Sequence, residues 1–434
     1  MQKLFNRIYN INFYIILFLP LIFILRSFTL NFFVSFVAVS YIANCFIKNS
    51  WNFFKEKSVL FIFLLFIYII VNGIFFSLLE IPDKRINYLL NLFGLIRFPI
   101  FSIAVCCIIT KINRNQLKKI KLSYLITFLI VCLDIGIQYL LGKSILGFPP
   151  GMCFELSCER FSGPFGEELI AGTYLYIIGS LLIILFLKKE IIFSIFIILI
   201  TLFFILLTGD RSPFLGFLLF ILTGIIILKI KKKIKILIGI LIFFITLFTI
   251  INFNHLKERY FNFINYSFFS FKNLEIKKNT EHQANFINRT EENPWIKHYN
   301  LAYKIFKDNP FFGSGYKTFR VICKEYVDPN FEKSQYKSCS SHPHNFFLEI
   351  LSEQGLVGLS LFLIFLALIV YNFKFCINKK NTLISKKFIM ITIFFLSIYF
   401  PFKPSGSFYT TWNSSLIFFI YGFYLYYLNS IKRR

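Results

Sequence analysis

The sequence predicts an all-α integral membrane protein, and three observations lead there. Hydrophobic residues fill 57% of the 434 positions, with 62 Phe in the chain. Apolar runs recur between charged connections, each close to the ~20 residues that a helix needs to cross the hydrocarbon core. Lys and Arg outnumber Asp and Glu by 47 to 21, a net charge of +26, and they are spread over alternate connections, as in the cytoplasmic loops of a polytopic protein. The aromatic and β-branched content excludes a disordered chain. The scatter of the basic clusters excludes a soluble nucleic-acid binder, which would gather them on one domain. The first apolar run is one of many, which argues against a removable signal peptide.

Twelve spans are expected, near 9–25, 28–47, 59–79, 92–110, 122–141, 169–187, 190–208, 212–229, 234–253, 355–371, 388–402 and 414–430. One set of connections carries Lys3 and Arg7, Lys55 and Lys57, Lys118 and Lys119, Lys188 and Lys189, Lys231 to Lys233, Lys386 and Lys387, and the final Lys432, Arg433 and Arg434. The short connections of the other set carry only Arg26, Lys84, Arg85, Lys143, Arg160, Arg211 and Lys403. The positive-inside rule makes the first set cytoplasmic with both termini, and the second set external. The chain then divides into an N-terminal bundle of about nine helices over 1–253, one large outer loop over 254–344, mainly helical, and about three C-terminal helices over 345–434.

Within the loop, Trp295, Ile296, Tyr299, Ala302, Tyr303 and Phe306 recur at helical spacing. Cys153, Cys158, Cys323 and Cys339 all fall in outer connections and form two local pairs. An oxidising compartment would permit disulfides Cys153–Cys158 and Cys323–Cys339; four unpaired small residues are the alternative. Arg97 and Asp134 lie inside apolar spans, where charges are expensive unless partnered, and a structural pair between them is expected.

Candidate chemistry lies on the outer face. All five His fall between 255 and 344, and His is the side chain best suited to proton transfer near neutral pH. His344, after Pro343, is expected at a helix N-terminus, where the dipole disfavours the protonated ring and leaves a neutral base. Asn345, Glu349 and Ser352 or Glu353 follow as a polar stripe on an interfacial helix that turns at Gly355 into the span proper. Arg211 lies in the tight connection Gly209-Asp210-Arg211-Ser212-Pro213, with Asp210 as an adjacent partner. Topology brings Arg211 and His344 to one face, and a guanidinium beside a base suits a phosphate ester or diphosphate. His342 and His344 supply only two close metal ligands where a zinc site needs three or four, so no metal is expected.

These residues carry a family resemblance. Arg211-x-x-x-Leu215 resembles the Arg-x3-Leu motif of O-antigen ligases, and His344-Asn345, nine residues, then Gly355-Leu356-Val357-Gly358 resembles their His-[Asn/Ser/Gln]-x9-Gly-x-x-[Gly/Thr/Tyr] pattern. Asn309-Pro310-Phe311-Phe312-Gly313-Ser314-Gly315 is similar to the Pro-x-x-Gly-x-Gly run before the family's His. The resemblance implies a GT-C type fold and a metal-independent, cofactor-free, inverting glycosyltransferase in the bacterial inner membrane, with its active site periplasmic. It implies an undecaprenyl diphosphate-linked glycan as donor and the hydroxyl of lipid A-core, or of another glycan or protein, as acceptor. His344 is implied as catalytic base, and Arg211 with a loop arginine as diphosphate ligands. Arg289 precedes Trp295 and is the first choice for that arginine, with Arg320 as fallback; Asn345, Glu349 and Arg160 are supporting residues. An O-antigen or capsule polymerase and a protein O-glycosylating ligase share this superfamily. A transporter or flippase would show internal repeats or paired broken helices near the midplane, and neither is evident.

Overall fold

The computed structural model describes residues 2–25, 27–48, 55–80, 85–152, 159–187, 191–228, 231–253, 256–257, 294–326, 339–377 and 382–433. It is built of helices. A helix covers each expected span, and seven of the described helices are long and apolar enough to cross a membrane, by length and composition. Ala171–Phe186, Ile192–Leu207 and Arg211–Ile227 are shorter apolar helices. The chain is a multi-pass membrane protein.

Helix breaks follow local chemistry. The first expected span is two helices, Gln2–Leu17 and Leu19–Ile22, because Pro20 takes the first turn of the second, the position that tolerates a missing N–H. Ahead of the Arg97–Lys111 helix, Gly94–Ile96 forms a short 3-10 turn after the Arg85–Phe93 helix. Among the described residues the only β structure is a two-residue antiparallel pairing, Gly151 opposite Arg160 and Met152 opposite Glu159.

Thr411–Lys432 runs through the middle of the bundle, with 83% of its apolar stretch buried, against 11% for Lys232–Asn252. The central helix packs on Arg97–Lys111, Leu383–Ile398 and Ser27–Lys48. It approaches the first of these closely enough that a Cβ on Gly422 would lie 2.7 Å from the Ser102 carbonyl oxygen, the small-residue contact typical of helices packed in a bilayer. Lys232–Asn252 instead leaves Phe243, Phe244, Phe248 and Ile251 exposed, as suits a lipid-facing helix.

The expected Arg97–Asp134 pair is not formed. Arg97 donates to Asn31 Oδ1 at 2.5 Å and to the Gly94 carbonyl at 2.6 Å, with its guanidinium over the Phe98 ring. Asp134 accepts the Ile145 N–H at 2.5 Å. Arg97 is taken up by Asn31 of the neighbouring Ser27–Lys48 helix and by its own preceding turn, and Asp134 by the backbone beyond its helix end, so neither charge needs the other.

The segment ahead of the Phe346–Tyr371 helix has a small core of its own. Leu301, Ala302 and Ile305 of the Pro294–Asp308 helix pack with Phe319 and Cys323, and Leu348 and Cys339 close the cluster. The buried stripe therefore runs through His298, Leu301, Ala302 and Ile305, while Tyr303 is 49% exposed. The buried face is rotated from the expected one, and the helix packs on Phe346–Tyr371. Trp295 and Ile296 carry no described side chains. Cys323 and Cys339 are joined in a disulfide, with Cα atoms 5.5 Å apart. Cys153 and Cys158 lie outside the described residues.

Candidate active site

The site begins with a broken helix. Phe346–Tyr371 is interrupted at Gly355, which has φ +62° and ψ −164°, so a short helix carries the His segment and a long one enters the apolar bundle. Such a break leaves backbone groups without helical partners, and the Asn309 to Gly315 run supplies them. Ser314 N–H donates to the Ser352 carbonyl at 3.0 Å and Gly315 N–H to that of Glu353 at 2.8 Å. Leu356 N–H donates to the Pro310 carbonyl at 2.8 Å and Val357 N–H to that of Phe311 at 3.2 Å. Two segments that are separate in sequence thus form one backbone-to-backbone joint. Asn72 Nδ2 reinforces it by donating to the Phe312 carbonyl at 2.8 Å and to Gln354 Oε1 at 3.1 Å.

Asn345 caps the short helix. Its Oδ1 accepts the N–H groups of Phe347 and Leu348 at 3.0 and 3.2 Å, and its Nδ2 donates to the Pro401 carbonyl at 2.6 Å. His344 therefore stands one residue outside the cap, and Pro343 precedes the helix instead of opening it. The His344 backbone is left-handed, φ +56°, a conformation that His adopts more readily than most residues and that gathers at functional sites. Its carbonyl accepts the Ser405 N–H at 2.8 Å.

Three imidazoles meet here. The His342 ring centroid is 4.1 Å from that of His344, and the His298 centroid is 5.1 Å away on the other pairing. Burial, followed by the neighbouring His342 and His298, pushes the His344 pKa down to about 3. Burial likewise lowers His342 to about 4, with Arg320 and His298 adding to the effect. Both rings are neutral at physiological pH. His298 is 5% exposed and was not singled out from sequence, although its i, i+4 spacing to Ala302 on the buried stripe marks it. Among the described residues no group of three or more His, Cys, Asp or Glu is arranged to hold a metal ion.

The carboxylates of this helix are used structurally. Glu349 accepts the Ser407 hydroxyl and the Phe408 N–H at 2.5 and 2.6 Å. Glu353 accepts the N–H groups of Lys317 and Phe319 at 2.8 and 3.1 Å. Arg320 is exposed at the start of the short Phe319–Ile322 helix, and its charge acts on His342, Lys317 and Tyr316. Arg289 lies outside the described residues.

Arg211 opens the Arg211–Ile227 helix, with Asp210 at the N-cap. Asp210 is engaged by groups distant in sequence. Its carboxylate takes an ion pair from Arg160 and accepts the Gly172 N–H at 3.0 Å, while Arg160 also donates to the Leu169 carbonyl at 3.1 Å. Arg160 thus braces the turn that presents Arg211. Next to Arg211, the Ser212 hydroxyl donates to the Pro404 carbonyl. The Pro401 to Phe408 loop consequently grips both candidate segments, Ser212 through Pro404 and His344 through Ser405.

Residues 195–363 match the O-Antigen ligase family model. The O-antigen ligase match takes in Arg211, the Gly313-Ser314-Gly315 turn, His344 and the Gly355 break, whereas Arg160 and Lys403 lie beyond its ends. No curated protein matches the chain.

Proposed function

We propose that the chain is a GT-C type membrane glycosyltransferase that moves a glycan from undecaprenyl diphosphate to an acceptor hydroxyl, most closely as an O-antigen ligase acting on lipid A-core. The observation that carries this reading is the convergence of Arg211–Ser212 and His344 on one loop. The O-antigen ligase match over both segments supports it. In this reading all twelve helical segments are spans, both termini are cytoplasmic, and 254–344 is a periplasmic loop between the 1–253 and 345–434 bundles.

The donor already carries its leaving group. As the acceptor oxygen attacks the anomeric carbon, its proton passes to His344, the glycosidic carbon–oxygen bond breaks, and the electron pair leaves with the diphosphate. Attack opposite the leaving group inverts the anomeric centre. Arg211 and a loop arginine, Arg289 or Arg320, stabilise the departing charge, an effect worth a few kcal/mol per preorganised donor in a dry site. The charge of Arg320 acts on His342, which supports it in that role. The depressed basicity of His344 in the free protein follows from burial and its imidazole neighbours; a bound diphosphate favours the imidazolium and raises that basicity when the base is needed. No carboxylate pair or metal enters the scheme.

The test is complementation of a ligase-deficient and, separately, a polymerase-deficient strain, each supplying compatible donor and acceptor, with His344→Ala and Arg211→Ala beside the parent. Glycan on lipid A-core that depends on both residues upholds the ligase reading. Longer lipid-linked chains in the polymerase-deficient host would assign polymerisation instead. A parent and two variants that work equally well would overturn the site.

A further inference from the structure

We propose that Lys403 is a third cation of the donor site, contacting the diphosphate from the loop that joins the two motif segments; this rests on the glycosyltransferase reading above. Lys403 is 8% exposed, and its ammonium lies 5.5 Å from the Tyr176 ring centroid. Its charge is perturbed by burial alone, with no carboxylate among the described residues acting on it. Other lysines at helix ends find partners: Lys387 donates to the Leu185 carbonyl at 2.9 Å, and Lys432 pairs with Glu56. A largely buried lysine without a counter-charge is costly, and a site that receives an anion from outside gives that cost a purpose.

The loop geometry places the residue. Pro401 is held by Asn345, Pro404 by Ser212, Ser405 by the His344 carbonyl, and Ser407 and Phe408 by Glu349. Lys403 is therefore fixed between the residues beside Arg211 and the residues beside His344. The nearby carboxylates are committed elsewhere, Asp210 to Arg160 and Gly172 and Glu349 to Ser407 and Phe408. Burial lowers the Lys403 pKa to about 8, which keeps the ammonium mostly charged near neutral pH.

The experiment uses the full-length protein in phosphatidylcholine nanodiscs and measures thermal stabilisation by undecaprenyl diphosphate, by undecaprenol and by phosphatidylglycerol. The parent should be stabilised by the diphosphate and not by the alcohol. Removing one charge-assisted contact, Lys403→Met should weaken the apparent affinity about ten-fold or more, and Lys403→Arg should stay within about three-fold of the parent. The exposed Lys143→Met is the control and should not change it. Without ligand, Lys403→Met should melt at or above the parent temperature, since a charge without a counter-charge has been removed; should it fail to fold, Lys403→Gln replaces it. Unchanged diphosphate affinity in a folded variant overturns the proposal and leaves the glycosyltransferase reading intact. An equal loss for phosphatidylglycerol overturns it in favour of a general anionic-lipid contact. A parent that ignores undecaprenyl diphosphate overturns both.

Discussion

Gly355→Ala should uncouple the His344 platform from the rest of the protein. At φ +62° and ψ −164° the residue occupies a region open essentially to glycine alone, and an alanine held there costs about 1–3 kcal/mol. Its Cβ would also stand 2.3 Å from the Phe311 carbonyl oxygen, 2.5 Å from the carbonyl carbon and 2.6 Å from Gly313 N. These are backbone atoms, so no rotamer change relieves the clash and the Pro310 to Gly315 turn must lift. Lifting it breaks at least the bonds from Leu356 and Val357 to Pro310 and Phe311, at about 1 kcal/mol each. The sum is about 3–5 kcal/mol of local stability, or roughly a hundred-fold or more in amide exchange. Hydrogen exchange read by mass spectrometry over 310–315 and 352–357, with thermal melting beside it, measures this directly. Gly313→Ala should do the same, because its Cβ would meet Gln354 N at 2.4 Å. The double variant should cost little more than either single one, since both open the same joint. Parental exchange at these peptides in Gly355→Ala would refute the reasoning.

Further outcomes follow from the same geometry. The His342 and His344 pKa values are lowered to about 4 and 3, so between those values and the ordinary 6.5 the unfolded chain binds protons that the folded chain does not. Melting temperature should therefore be level above pH 7 and fall as pH drops from about 6.5 toward 4, and a His342→Asn, His344→Asn double variant should show a shallower fall. Arg160→Met leaves the Asp210 carboxylate buried without its cation and should destabilise by up to about 3–5 kcal/mol, the partial exposure of Arg160 reducing that figure; Asp210→Asn in the same chain should restore much of it in a melting assay. The bond between Cys323 and Cys339 closes a 16-residue separation. Its reduction should lower stability by about 3 kcal/mol in the chain-entropy account, checked by alkylation and intact mass alongside melting with and without reductant.

The helices were legible because a bilayer imposes length and apolarity on each one, and both quantities are local. The turn at Gly355 was legible for the same reason, a glycine where a polar stripe gives way to an apolar run. Partnerships were not legible, because they depend on what tertiary folding brings near. Asp210 pairs with Arg160, fifty positions earlier and held in the small β pairing, a contact that nothing near either residue in sequence announces. Arg97 and Asp134 looked like mutual partners only while Asn31 and the Ile145 N–H were out of view. Lys403 served in sequence as a marker of topology, since a single charge in a short connection carries no sign that the fold buries it. His298 is the intermediate case: its helical spacing to Ala302 was visible, but its meeting with His344 required the loop helix to pack on the broken one.

The two halves of the His344 to Gly358 pattern therefore answer to different physics. The His half carries chemistry: an imidazole held outside an Asn cap in a left-handed conformation, with its carbonyl tied to Ser405. The glycine half carries architecture. Gly355 gives the chain its break, and the loop glycine Gly313 has no Cβ to collide with the Glu353–Gly355 backbone. The nine intervening residues span about two and a half helical turns, which places Glu349 and Glu353 so that one holds the Lys403 loop and the other the Lys317 turn. A chain with the histidine but a bulkier residue at Gly355 would keep the base and lose the joint that aims it. The spacing is thus a geometric requirement of docking two loops onto one short helix, and the base at its end inherits its position from both.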